Sequence, residues 1–129
     1  MRTDFKVNYY KMCESAIELQ EKWKPVIGDY VKVKNYKKLQ IIASINNIVL
    51  YFESKQNYDK KDCIWIPSKE QLNRYLKPYG MWFKFYEFIH YGWKKYIQNF
   101  KSEEELLLAF VMQYFYKKDW KNSQWILHS

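Results

Sequence analysis

The stretch CIWIPSKEQLNRYL, Cys63–Leu76, joins two kinds of secondary structure with no slack. Ile64, Trp65 and Ile66 form a short apolar run of residues that favour strands. Pro67 lacks a backbone donor and sits where a hydrogen-bonded ladder ends. Ser68 then offers a helix cap, Gln71 follows three residues on, and Leu72, Tyr75 and Leu76 recur at helical spacing. Ser68 with Gln71 makes a predicted capping box, which satisfies two orphan backbone donors and adds about 1 kcal/mol. So sharp a corner is either a site or a joint, and the chemistry of its residues favours a joint.

Upstream of the corner the pattern has period two. Tyr30-Val31-Lys32-Val33-Lys34 alternates as a half-buried strand does, and LQIIASI and IVLYFE are further strand candidates. Asn35–Lys38 is turn-like, and Asn46-Asn47 can adopt the left-handed conformation of a tight hairpin. Ser54–Asp62 is polar, lacks apolar periodicity and is expected to be a loop, which leaves CIWI as the fourth strand. Before the strands, Tyr9, Met12, Cys13, Ala16, Leu19 and Trp23 recur at helical spacing and predict one helix ending at Pro25.

Downstream the period changes. Pro78-Tyr79-Gly80 breaks the helix that starts at Ser68, and Trp82, Phe85, Ile89, Trp93 and Tyr96 predict a third helix. Ser102 and Glu105 read as another capping box before Leu107, Phe110, Val111, Tyr114 and Phe115. The tail SQWILHS can pair as an edge strand, with His128 expected to be frayed. The order α-β-β-β-β-α-α-α predicts a single α+β domain over residues 1–129. Its small antiparallel sheet of three to five strands packs against three or four helices.

Bulk properties narrow the function classes. The chain has 129 residues, enough to bury about two-thirds of its unfolded surface. Its 6 Trp, 13 Tyr and 8 Phe are an unusually rich set of rings, while 3 Gly and 3 Pro leave little room for flexible linkers. No run approaches the roughly 20 apolar residues of a membrane span, and MRTDFKVNYY lacks a signal-peptide core. Two cysteines, Cys13 and Cys63, do not make a disulfide framework. The expectation is a cytoplasmic protein with reduced thiols and no membrane partner.

Catalytic and metal-binding patterns are missing from the sequence. His90 and His128 are the only histidines, and no Cys/His spacing suits zinc. There is no phosphate-binding glycine loop and no Gly-flanked serine elbow. Three carboxylates in SEEEL suit the first turn of a helix, where the helix dipole favours negative charge. The expectation is a non-enzyme with no cofactor and no metal, although an enzyme without a recognisable motif stays open.

Charge supplies the candidate site. Twenty-two basic against 14 acidic residues give +8, and residues 22–61 hold nine lysines against Asp29, Glu53 and Asp59. The candidate partner- or anion-binding residues are Lys32, Lys34, Tyr36, Lys37, Lys38, Tyr58, Lys60 and Lys61. Lysines beside exposed aromatics suit phosphate neutralisation and base stacking. The competing reading is the solvated outer face of a one-sided sheet, a common use of strand lysines. Only Arg2 and Arg74 are arginines, so the residue best suited to bidentate phosphate and guanine recognition is nearly absent.

Three blocks, CESAIELQEKWKPVIGDYV (13–31), IWIPSKEQL (64–72) and SEEELLLAFVMQYFYKKDWKNSQWI (102–126), resemble a family of small proteins encoded in phages and prophages of low-GC Gram-positive bacteria. The matching positions are Trp23, Pro25, Gly28, Asp29, Trp65, Pro67, Gln71, Leu72, Ala109, Phe110, Met112, Trp120 and Trp125. Ser68-Lys69-Glu70 departs from a more basic pattern after the corner proline, and MWFKFYEFIHYGWKKYI has no counterpart. The family brings no catalytic residues. The resemblance implies a phage accessory protein that binds and blocks a host protein. Its target would be a CRISPR or other nucleic-acid-handling defence protein, that protein's nucleic acid, or a phosphate-bearing nucleotide signal. The alternative is a direct nucleic-acid-binding module.

Overall fold

The computed structural model describes residues 3–36, 38–77, 80–92, 98 and 100–128. The chain opens with α1 (Thr3–Ser15) and α2 (Ile17–Lys22). Five strands follow: β1 (Tyr30–Val33), β2 (Leu39–Asn46), β3 (Val49–Phe52), β4 (Asn57–Asp59) and β5 (Cys63–Trp65), with a 3₁₀ turn, Lys60–Asp62, before the last. Next come α3 (Lys69–Asn73), α4 (Trp82–Glu87) running into a π-helical turn (Phe88–Gly92), α5 (Glu103–Tyr116), and a hairpin of β6 (Lys118–Lys121) and β7 (Gln124–Leu127). The fold is α+β, as the alternation of periods predicts.

All five strands pair antiparallel in the order β4-β3-β2-β1-β5. Strand β4 therefore lies at one edge and β5 at the other, yet only the 3₁₀ turn separates them in sequence. A flat sheet would put these edges about 19 Å apart, and four residue steps reach about 14 Å at most. The sheet must roll until its edges approach. A bulge between Ile42 and Ser44 contributes, because it lets Ile42 and Ile45 face Phe52 and Leu50 on one side although they are three residues apart.

Strand β4 occupies the segment expected to be a loop. Its pairing with β3 compensates for its weak apolar pattern, and Tyr58 stands opposite Leu50. The first helix is also not continuous. It breaks at Ala16, where the Cys13 carbonyl accepts from the Ala16 N–H at 3.1 Å and from Gln20 Nε2 at 3.0 Å. The third helix widens into the π turn at Phe88; the predicted anchors Trp93 and Tyr96, with the Pro78-Tyr79 breaker, lie outside the described residues.

The helices meet the rolled sheet through β5, on which α1 packs, so all three residues of β5 are buried. Helix α5 is buried on most of its circumference, from Leu107 to Met112, as a central helix should be. Its Ser102 cap forms, with Oγ accepting from the Glu105 N–H at 3.1 Å. The reciprocal half of that capping box does not. The Glu105 carboxylate turns into the α1–α5 interface, where Oε1 accepts from Asn8 Nδ2 at 3.0 Å and the Lys101 N–H at 3.3 Å, and Oε2 has no partner. His128 is not frayed: its N–H donates to the Lys117 carbonyl at 2.7 Å, and Nδ1 lies 2.6 Å from Asp119 Oδ2.

Residues of the Trp-x-Pro-x-x-Gly-Asp and corner motifs converge on one buried network. Asp29 Oδ2 accepts from Trp23 Nε1 at 3.0 Å and the Val26 N–H at 2.9 Å, and Oδ1 accepts from Gln71 Nε2 at 2.6 Å. Gly28, at φ +95°, supplies the backbone turn that presents Asp29. The Ser68–Gln71 capping box is complete. Trp23 and Trp65 stack with parallel rings, centroids 6.2 Å apart. Tyr9 donates to the Pro67 carbonyl at 2.6 Å. The corner is a joint.

Two stability predictions follow from these contacts. Ser68→Ala loses about 1 kcal/mol through the cap, whereas Asp29→Ala loses about 3 kcal/mol, because the buried Trp23 indole and the part-buried Val26 and Gln71 donors all lose their acceptor. Urea denaturation of both variants checks the ranking. Burial raises the Glu105 carboxyl pKa, against the lowering pull of the Lys101 N–H and Asn8. A raised folded-state pKa means that stability is held below the unfolded carboxyl range and lost as pH rises through the folded value. That loss should disappear in Glu105→Gln, measured as midpoint against pH between 4 and 8 on the order of one-unit steps; an unchanged slope would show that Glu105 does not titrate with folding.

Candidate functional site

The roll of the sheet and the break in the first helix leave a cleft of about 490 Å³. One wall is helical, with Glu14, Ile17, Gln20 and Glu21. The other is formed by Lys34, just past β1, together with Asp59, Lys60 and Lys61 around the 3₁₀ turn. Trp23, Ile48, Cys63 and Ile64 complete the lining. Lys60 Nζ lies 5.8 Å from the Trp23 ring centroid, a cation–π contact that places its charge over the indole. Ile17 and Ile48, each 59% exposed, present bare apolar surface at the rim.

Three of the eight residues singled out from the sequence, Lys34, Lys60 and Lys61, meet in this cleft. Tyr36 and Tyr58 form a separate ring pair with centroids 5.9 Å apart, and Tyr58 also contacts Phe52 at 6.1 Å. Hydrogen bonding with Tyr36 raises the Tyr58 hydroxyl pKa. Lys32 is half-buried on β1, opposite Leu39 and Ile64, and Lys38 is exposed beside Leu39. Lys37 lies outside the described residues.

The sequence reading missed the acidic half of the cleft. Glu14 and Glu21 lie across from Lys34, Lys60 and Lys61, and Asp59 sits among the lysines, so the lining carries three positive and three negative side chains. No ion pair among the described residues engages Glu14, Glu21, Lys34 or Lys61. The available signal was Ile17, an apolar residue set among the helix's outward acids.

A second feature lies on α4, where Trp82, Phe83 and Tyr86 are exposed. Beside it a cleft of about 400 Å³ is rimmed by the Lys69–Glu103 ion pair at 3.0 Å. His90 sits next to Tyr86, ring centroids 4.3 Å apart, and His128 is held by Asp119 at the tail hairpin. No group of three His, Cys, Asp or Glu residues that could hold a metal occurs among the described residues, and no described helix is long and apolar enough to cross a membrane.

No protein-family model, curated protein or solved structure matches this chain. The phage-type resemblance rests on its motif blocks. Trp23, Asp29, Trp65, Pro67 and Gln71 from those blocks belong to the buried joint rather than to an exposed surface.

Cys63 is the thiol lining the cleft. Burial, with Asp62 and Asp59 nearby, pushes its pKa up to about 11. Burial also drives the Cys13 thiol upward. At pH 8 roughly a thousandth of Cys63 is thiolate, so both cysteines should resist iodoacetamide in the folded protein and react promptly in urea. Mass spectrometry reads the outcome, and rapid native labelling of Cys63 would show an activated thiol.

Proposed function

We propose that this chain is a non-enzymatic, phage-type accessory protein that binds and blocks a host factor in the bacterial cytoplasm. The anti-defence role is the one the motif resemblance suggests, with a CRISPR or other nucleic-acid-handling defence protein as target. The observation that carries the binding reading is the composition of the cleft: equal numbers of opposite charges around apolar side chains. A polyphosphate would meet Glu14, Glu21 and Asp59 as well as the lysines, and like-charge contacts oppose binding. A protein surface, with apolar anchors and charges of both signs, fits better than a nucleotide signal.

Direct nucleic-acid binding is the second reading. It draws on Tyr36, 51% exposed and placed at the turn that also carries Lys38.

Affinity purification from an infected host, read by mass spectrometry and by extractable nucleotide, identifies the target. On that complex, replacing Lys34, Lys60 and Lys61 by Glu should weaken binding by about 2 kcal/mol or more, and by Gln less, with the melting temperature nearly unchanged. The complex should also lose far less affinity with salt than a phosphate-bound one. Tight, steeply salt-dependent binding to oligonucleotides near physiological salt would replace this reading with the second.

A further inference from the structure

The outer edge of β5 borders the cleft, and both backbone groups of Trp65 and the N–H of Cys63 on that edge are already taken. Gln20 Nε2 donates to the Trp65 carbonyl at 2.9 Å, and Gln20 Oε1 accepts from the Trp65 N–H at 2.9 Å. One side-chain amide thus reproduces the double exchange of an antiparallel strand partner. Two residues back, the Cys63 N–H donates to the Lys60 carbonyl. An extended peptide laid along this edge would find no main-chain partners at Trp65, which removes the chief source of affinity in strand addition.

The geometry points to a helical segment of a partner protein as the occupant of this cleft, with an apolar ridge flanked by basic residues on one side and acidic residues on the other. The inference rests on the reading of the cleft as a protein-binding site and specifies its ligand. A helix satisfies its own backbone and presents only side chains. Its ridge would meet Ile17 and Ile48, which the fold leaves bare. Its basic flank would face Glu14 and Glu21 on the helical wall, and its acidic flank Lys34 and Lys61 on the wall that also carries Asp59; none of these four side chains makes an ion pair among the described residues.

The test uses the full chain and four fluorescent peptides of about 16 residues, built on one leucine ridge in an alanine host. One carries Lys on one flank and Glu on the other, one Lys on both, one Glu on both, and the fourth is the mixed peptide with a central proline that breaks the helix. At physiological salt the mixed helix should bind at least about tenfold tighter than the other three. Lys34→Glu with Lys61→Glu should transfer preference to the all-Lys helix. Ile17→Asp with Ile48→Asp, at exposed positions that spare the core, should abolish binding. Equal or tighter binding of the proline-broken peptide overturns the helical occupant but leaves the protein-binding reading standing. Preference for the all-Glu helix, or no binding by any peptide, overturns the proposal. A single-stranded oligonucleotide whose binding is lost in the Lys34/Lys61 variant overturns the protein-binding reading itself.

Discussion

The structure depends on a single carboxylate. Asp29 is buried, and its two oxygens accept from an indole, a backbone amide and a side-chain amide. Those donors belong to three parts of the chain: the end of the first helical segment, the turn into β1, and the start of α3. Without Asp29 the buried Trp23 indole would be stranded and the two part-buried donors would lose their shared anchor, and a buried unpaired donor costs more than a formed hydrogen bond returns. Trp23 and Trp65 stack beside the carboxylate, and Gln20 fastens the helical segment to the β5 backbone. The rolled sheet and the helices are thus held together by polar contacts of fixed geometry as well as by apolar burial.

This network bears directly on the cleft. By holding α2 against β5, Gln20 and Asp29 fix the distance between the acidic and basic walls. The break at Ala16 places Ile17 on the exposed side while Leu19 remains fully buried. The exposed rim, with Ile17 and Ile48, and the buried joint use different faces of these segments, while Gln20 and Trp23 belong to both joint and cleft lining. Substitutions in the joint are therefore expected to act on stability, whereas those at the rim should spare it and bear on the proposed recognition alone.

Much of the architecture was legible in the sequence because its signals are local. The alternation at Tyr30–Lys34, the proline and capping box at Pro67–Gln71, and the apolar density of Leu106–Met112 each specify their element without help from distant residues. What was not legible depends on tertiary partners. Asn57–Asp59 becomes a strand only because β3 offers an edge. The first helix breaks where the Cys13 carbonyl is taken by the Ala16 N–H and the Gln20 side chain, and Gln20 is held there by the distant Trp65 backbone. His128 is ordered by Asp119. For the site, three residues of the lysine-rich segment, Lys34, Lys60 and Lys61, come together in the cleft, but the sequence could not place Glu14 and Glu21 across from them. That juxtaposition is created by the rolling of the sheet.

The three-residue link between β4 and β5 has a further consequence. Because it is too short to span a flat sheet, its length acts as a gauge of curvature. A chain with several residues inserted there could keep every strand pair and still relax towards a flatter sheet. The edges of β4 and β5 would then separate; β5 keeps its Gln20 partner, but β4 would offer its outer backbone to a neighbouring molecule, the starting point of strand exchange and aggregation. In the native chain the tightness of one turn keeps those edges inside a single molecule.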